Sequence, residues 1–331
     1  MSLKQIITEV EQDIFDVANT AFDYSDTAFV PSTNDKGLSY ERGVTKRGML
    51  LKSCVLYVDI RNSVSLTQKH QFITMGRIYT AFTKAVIKVS RHHGGHTRNI
   101  IGDRVMIVFP EEKCFKNAVS CAISINHIAN SIKKQFPKVD FKCGIGIDYG
   151  ELRIIKVGIQ RNGTEASENK GLVWAGSPAN LASRLTDMAN KQFDEILFEV
   201  DYYAPNWSRL FRRNTEAFPS LIPRTYLAGG SQSTYSSIQT KGLMSESEFA
   251  NSVGQNADGS MSIKQGKLIS FKKVVNKIAY PSILITEEVL SGLKKEADPT
   301  FLFIWSQQKS TIKNVSSKTY GASNKWDTSK W

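Results

Sequence analysis

SCVLYVDI (residues 53–60) and GHTRNIIGDRVMIVF (residues 95–109), separated by a long helical run, decide the fold. The first reads as a strand ending at Asp59. The second reads as two strands hinged at Gly102-Asp103. Alternate residues of a strand share a face, so Val55, Tyr57 and Asp59 point together. Two aspartates therefore stand at the ends of neighbouring apolar strands. An ionised carboxylate in apolar surroundings needs a partner, and a shared pair of divalent cations, Mg²⁺ or Mn²⁺, would supply one through oxygen ligands. Taken singly, Asp103 also fits a hairpin turn and Asp59 a helix N-cap.

Working outward, residues 63–93 carry Ile78, Phe82, Ala85, Val86 and Val89 at spacings of three and four. That is a core-facing helical stripe, ended by Gly94-Gly95. Residues 115–133 form a second amphipathic helix, with Phe115, Ala118, Val119, Ala122, Ile125, Ala129 and Ile132 inward. VDFKCGIGIDYG (139–150) and ELRIIKVGI (151–159) read as two strands joined by a hairpin at Tyr149-Gly150-Glu151. A polar loop with Gly163 and Gly171 leads to GLVWAGSPAN (171–180) and a helix, NLASRLTDMAN (180–190). The order βαββαβ plus a further helix predicts an α+β, ferredoxin-like core with an antiparallel-rich sheet and helices on one face.

Before this core, residues 3–23 carry Leu3, Ile6, Ile7, Val10, Ile14, Phe15 and Val17 at helical spacing, and turn-rich residues 24–50 read as a connector. After it, ILFEVDYY (196–203) and KLISFKKVV (267–275) read as strands, with loops at AGGSQSTYSS (228–237) and GQNADGSMS (254–262). SILITEEVLSGLKK (282–295) reads as strand then helix, with Thr286 as N-cap and Glu287 and Glu288 in the first turn. The expected divisions are an N-terminal helix and connector (1–50), the core (51–190), an insertion with a strand–helix that completes the domain (191–306), and a loosely held polar, basic tail (307–331).

The 331 residues are 41% hydrophobic and 22% charged, an ordinary globular composition. No apolar run approaches a membrane span, and the acidic, amphipathic N-terminus is unlike a secretory signal. Cys54, Cys114, Cys121 and Cys143 lack metal or disulfide spacing and read as reduced core residues of a cytoplasmic protein. The net charge of +12 suits an anionic partner such as nucleic acid, a membrane surface or nucleotide phosphates. Part of the excess is scattered in the tail, where Lys309, Lys313, Lys318, Lys325 and Lys330 face only Asp327, and reads as solubility charge.

On the helix that follows GLVWAGSPAN, Asn180 and Arg184 are four apart and project from one side. An amide can orient a ribose, and a guanidinium can neutralise charge growing on phosphorus. VLYVDI, HGGHTRNIIGD and GSPANLASRL together resemble the three motifs of class III nucleotidyl cyclases, over about residues 52–190. The resemblance implies a head-to-tail homodimer with active sites at the interface. Asp59 and Asp103 match the family's aspartates for two metal ions, with the backbone of Ile60 beside them. Asn180 and Arg184 match the transition-state pair lent by the other subunit. Residues Ile60 to Ser63, including Asn62, match the turn that cradles phosphates at a helix N-terminus.

The departures from that family concern the base. Asn99 stands where adenylyl cyclases carry lysine and guanylyl cyclases glutamate, and Val173 replaces the second purine-reading residue. Asn62-Ser63 replaces a glycine-phenylalanine step, Arg104 a small residue, and Tyr57 a phenylalanine. Tyr57 adds a donor and acceptor, Asn99 suits the edge of uracil or cytosine, and Tyr57 with Trp174 narrows the pocket, although Trp174 fits a core role equally well. These features resemble the pyrimidine cyclases of bacterial Pycsar anti-phage systems. That implies UTP as substrate, cyclic UMP as product and a separate cyclic-nucleotide-sensing effector. Asn99 by itself fits CTP as well. The cluster His92, His93 and His96 reads as a helix-to-strand corner, and Arg61, Arg104 and Lys191 as solvated or salt-bridged. An RNA-binding reading of this basic chain lacks the stacking aromatics, since RVMIVF offers one. A cyclase-like pseudoenzyme is disfavoured by the intact Asp59, Asp103, Asn180 and Arg184.

Overall fold

The computed structural model describes residues 2–159, 169–205, 237–263, 266–297, 299–308 and 315–329. The chain divides into two units, Met1–Lys191 with Ala279–Trp331, and Gln192–Ile278. In chain order the first unit holds α1 (Leu3–Asn19), β1 (Phe22–Asp26), β2 (Lys46–Ile60), α2 (Ser63–Lys69), α3 (Phe72–His92), β3 (His96–Ile101), β4 (Arg104–Val108), α4 (Cys114–Gln135), β5 (Cys143–Gly158), β6 (Lys170–Ala175) and α5 (Ser177–Met188). The second unit holds β7 (Gln192–Pro205), β8 (Ser237–Ser245), α6 (Glu246–Ser252), β9 (Val253–Gln255), β10 (Met261–Ile263) and β11 (Gly266–Ala279). The first unit resumes with β12 (Ile283–Thr286), α7 (Glu287–Glu296), β13 (Ser306–Gln307) and β14 (Thr319–Ala322).

The main sheet runs β13-β14-β12-β5-β2-β4-β3, with β1 also on β2 and β6 on β5. β2 pairs antiparallel with β4 through Val55↔Val108 to Val58↔Val105, so the ends carrying Asp59 and the Gly102-Asp103 turn meet, as the sequence predicts. Even-numbered β2 residues Cys54, Leu56, Val58 and Ile60 bury against α3 and α4, with Phe82 edge-on to Phe141 at 5.9 Å. Odd-numbered Leu51 and Val55 face the other way, with Met106, Val108, Leu152 and Ile154, against Ala179 and Ala182 of α5. A strand puts successive side chains on opposite faces. The two core helices therefore lie on one face, as expected, and α5 covers the other.

α5 lies close on that face because β5 offers it glycine. A Cβ at Gly146 would collide with the Ala182 carbonyl, and one at Gly144 would fall 2.5 Å from the Ala189 carbonyl. The hairpin expected at Tyr149-Gly150-Glu151 does not form. β5 is one strand through those residues, in register with β2 from Gly48↔Ile155 to Ile60↔Cys143. Gly150 is not among the positive-φ residues that a tight hairpin turn would need, and thirteen ladder pairs outweigh a local turn preference. The antiparallel partner of β5's far end is β6, through Ile154↔Trp174 and Ile155↔Val173.

Other boundaries shift for similar reasons. β2 begins at Lys46, inside the expected connector, and pairs with a parallel strand, β1, that starts at Phe22 within the span expected to be helical, because α1 ends at Asn19. The 63–93 helix is two helices, α2 and α3, broken at His70-Gln71. Thr286 is the N-cap of α7, but its hydroxyl donates to Asp148 at 2.6 Å and caps no backbone N–H. The expected loose tail supplies β14, which pairs antiparallel with β12. Gly163 and most of 228–237 lie outside the described residues. The second unit is a five-stranded sheet, β8-β7-β11-β10-β9, cored by Val200, Ile263 and Leu268, with Phe198 stacked on Phe249 of α6 at 4.4 Å. Among the described residues no helix is long and apolar enough to cross a membrane.

Candidate active site

β2 and β4 deliver Asp59 and Asp103 to one end of the sheet. Asp59 stands on the α5 face beside Tyr57, because the two are separated by one residue of the same strand. Asp103 closes the β3–β4 turn, which Gly102 permits by adopting φ +60°. Burial pushes the Asp103 carboxyl above its ordinary value. A hydrogen bond from Ser63 works the other way, and the nearby charge of Asp59 pushes it up further. Asp59, Asp103 and Ser63 are thus brought together.

Arginines crowd one oxygen of Asp59. Arg104 donates to Oδ2 at 2.8 Å and Arg61 to the same atom at 3.4 Å. Arg104 also pairs with Asp187 and donates to the Ser183 hydroxyl at 2.8 Å, both on α5. Burial works against the charge on Arg104, but Asp59 and Asp187 outweigh it and hold the guanidinium above its usual pKa. Arg61 is lowered by burial, against the opposing pull of Asp59, and its Nη1 donates to the Asp187 carbonyl at 3.0 Å. The remaining oxygens, Asp59 Oδ1 and Asp103 Oδ2, are buried with no hydrogen-bond partner among the described residues. Two orphaned carboxylate oxygens are the donor chemistry that a hard divalent cation takes. No third His, Cys, Asp or Glu among the described residues joins them to form a larger ligand cluster.

The turn after Asp59 keeps the shape that glycine would give it. Asn62 adopts φ 56°, ψ 32°, the left-handed region asparagine tolerates best among non-glycine residues, and α2 starts at Ser63. The Ile60 side chain is buried in the α3–α4 layer, while its backbone lies between Asp59 and the turn. On α5, Asn180 and Arg184 are both exposed and one turn apart, in the row adjacent to Ser183 and Asp187.

The residues expected around a base divide. Tyr57 opposes Met106 on β4, and Met106 opposes Asn99 on β3, so the three form one row on the α5 face. Trp174 packs on the same cluster as Tyr57. Burial pushes the Tyr57 phenol up, and Arg104 partly offsets this. Val173 alternates with Trp174 along β6 and is 43% exposed, away from that cluster within the chain. His92, His93 and His96 sit at the α3–β3 corner, as expected, and form no metal cluster among the described residues. Sequence reasoning did not single out Asp187, Ser183 or Arg98. Arg98 lies 5.9 Å over the Trp174 ring and donates to the Val30 carbonyl at 3.1 Å. The i, i+4 pair Ser183 and Asp187, shadowing Asn180 and Arg184 by three residues, was the available signal for the first two.

No family model matches the chain. Over 149 residues it is 32% identical to a protein named uridylate cyclase from Burkholderia cepacia, covering 43% of this chain and 62% of that one. Over 107 residues it is 30% identical to a cytidylate cyclase from Staphylococcus aureus, covering 30% of this chain and 25% of that one. Over part of its length the chain is thus similar to proteins named as pyrimidine cyclases. It spans about three fifths of the length of the Burkholderia relative, 62%. The crystal structure of the adenylyl cyclase CyaB from P. aeruginosa aligns with a TM-score of 0.46 at 14% identity, over 83% of this chain and 95% of that one.

Proposed function

We propose that the chain converts UTP to 3′,5′-cyclic UMP and pyrophosphate, as a head-to-tail homodimer with two Mn²⁺ or Mg²⁺ ions at each active site. The observation that carries this reading is the pair of unpartnered buried oxygens, Asp59 Oδ1 and Asp103 Oδ2, at adjoining strand ends. Those carboxylates, with the Ile60 backbone carbonyl, would hold the ions. Bound there, such ions would supply Lewis-acid chemistry that lowers the pKa of the ribose 3′-hydroxyl and offsets charge on the leaving pyrophosphate.

The protein's own groups do the rest. The Asn62-Ser63 turn receives the triphosphate at the start of α2. Asn180 from the second subunit orients the ribose. Arg184 from that subunit neutralises charge developing on the α-phosphorus. Tyr57 and Asn99, in one row with Met106, meet the base edge, and Trp174 walls the pocket. The uridylate name of the Burkholderia relative supports UTP. CTP is the second reading, favoured by the cytidylate name of the Staphylococcus relative and by an Asn99 amide that satisfies either base. By its resemblance to Pycsar cyclases the product would signal phage infection to a separate cytoplasmic effector.

The test is incubation of purified protein with each of the four nucleoside triphosphates and Mn²⁺. Cyclic UMP should dominate, and Asp59→Ala should produce none. Absence of any cyclic product, or an Asp59→Ala variant as active as the parent, defeats the proposal.

A further inference from the structure

The α3–α4 layer, on the opposite face of the sheet from Asp59 and Tyr57, contains a cavity of about 470 Å³. That volume is in the range of small-molecule sites. Val89 and Ile128 supply apolar wall from α3 and α4, and Trp326 closes the cavity from the segment after β14. Lys88 and His92, one helical turn apart on α3, stand at its edge, with His93 and His127 beside them. Among the described residues no acidic side chain lines it, so Lys88 gives the wall a positive charge and the histidines and Ser124 give it hydrogen-bonding groups over an apolar floor.

The closing segment is fastened by specific bonds. The buried Asn126 side chain donates to the carbonyls of Ser323 at 3.2 Å and Asn324 at 2.9 Å. The Trp326 indole N–H donates to Ser124 Oγ at 2.7 Å, and Ser124 Oγ also meets His93 Nε2 at 2.9 Å. These bonds hold the indole over the gap. His127 Nδ1 has no hydrogen-bond partner among the described residues. A metal is not the fitting occupant, since no group of three His, Cys, Asp or Glu able to hold one exists among the described residues.

We propose that this cavity binds a small organic anion with a flat apolar body. The body lies against Trp326, Val89 and Ile128, and its carboxylate, sulfonate or phosphate faces Lys88 and His92. The proposal does not depend on the reaction assigned above, because none of the residues proposed for that reaction lines the cavity.

The test is a fluorescence titration of the full chain with anilinonaphthalene sulfonate, an aromatic anion, against neutral phenylnaphthylamine of similar shape. One saturable site per chain is expected for the sulfonate, with the neutral probe roughly tenfold weaker. Lys88 and His92 are exposed, so Lys88→Glu and His92→Glu leave the core intact, and each should weaken the sulfonate several-fold without shifting the melting temperature. Equal affinity for both probes, or sulfonate binding indifferent to both charge reversals, overturns the proposal.

Discussion

Arg104 donates to Asp59 at 2.8 Å and, through the same Nη2, pairs with Asp187 on α5. One guanidinium therefore ties a proposed metal ligand to the helix that carries Asn180 and Arg184. It also places a positive charge on the carboxylate a cation would need. Hydrogen bonds to charged groups contribute about 1.5–3 kcal/mol each, so Arg104→Ala should lower metal-free stability by an amount of that order. The same change removes a competitor for Asp59 and should tighten Mn²⁺ binding several-fold. Thermal melts without metal, alongside calorimetric Mn²⁺ titration, read the two effects separately. Unchanged Mn²⁺ affinity would show that Arg104 does not compete for the site.

The exposure of Asn180 and Arg184 on α5 fits side chains that serve a second copy. Asp59→Ala and Arg184→Ala should each abolish cyclase activity alone. Mixed in equal amounts, they should recover about a quarter of parental activity, since half the dimers would be mixed and each would hold one complete site of two. Cyclic nucleotide yield against mixing ratio checks this. No recovery, with subunit exchange demonstrated, means that both residues act within one chain.

Much of this was legible in the sequence, for reasons tied to burial. Cys54, Leu56 and Val58 alternate with Val55 and Tyr57 because β2 is covered on both faces, and the α3 and α4 stripes repeat at helical spacing because one side of each helix is buried. That Asp59 and Asp103 would meet depended on the first and third core strands pairing, and β2 does pair with β4. Long-range choices stayed hidden. Gly150 looks like a turn until thirteen ladder pairs with β2 hold it extended. The hydroxyl of Thr286 looks like a cap until Asp148, 138 positions earlier, accepts its proton. The contact of Arg104 with Asp187 spans 83 positions, and no local pattern marks it. α1 shows the converse, since its apolar stripe is clear in sequence and Leu3, Ile14 and Phe15 are 72%, 63% and 70% exposed.

Asp148 is buried on β5, and burial pushes its carboxyl up to about 6, with the Thr286 hydrogen bond opposing the shift. A carboxyl whose folded pKa is raised favours the native state most when protonated. Stability from this group is therefore present at low pH and lost as pH rises through about 6. Asp148→Asn keeps an acceptor for Thr286 and removes the charge. It should raise stability at pH near 8 by up to about 3 kcal/mol and change it little near pH 4. Denaturant melts at both pH values measure the difference. A variant destabilised equally at both would mean that the amide disturbs the site whatever the ionisation state and that burial of the charge at Asp148 costs nothing; greater destabilisation at pH 8 would mean that the ionised carboxylate is held favourably.

Tyr57 and Asn99 lie in one row through Met106, which places a phenol and an amide on the face proposed for the base. A site built to hydrogen-bond a polar edge loses discrimination when that donor is deleted. The ring of Tyr57 also packs against the buried cluster that contains Val55, Met106 and Ala182, and phenylalanine preserves that contact. Tyr57→Phe should therefore leave the melting temperature within about a degree while lowering kcat/KM for UTP roughly tenfold, a loss of about 1.4 kcal/mol in transition-state binding. Asn99→Ala should narrow the preference for UTP over CTP, because the amide is the group that can face either base. Steady-state rates with both triphosphates test the pair. If Tyr57→Phe retains the full rate and Asn99→Ala the full preference, the base is read elsewhere, and Arg98 over Trp174, at 5.9 Å, is the next pair to replace.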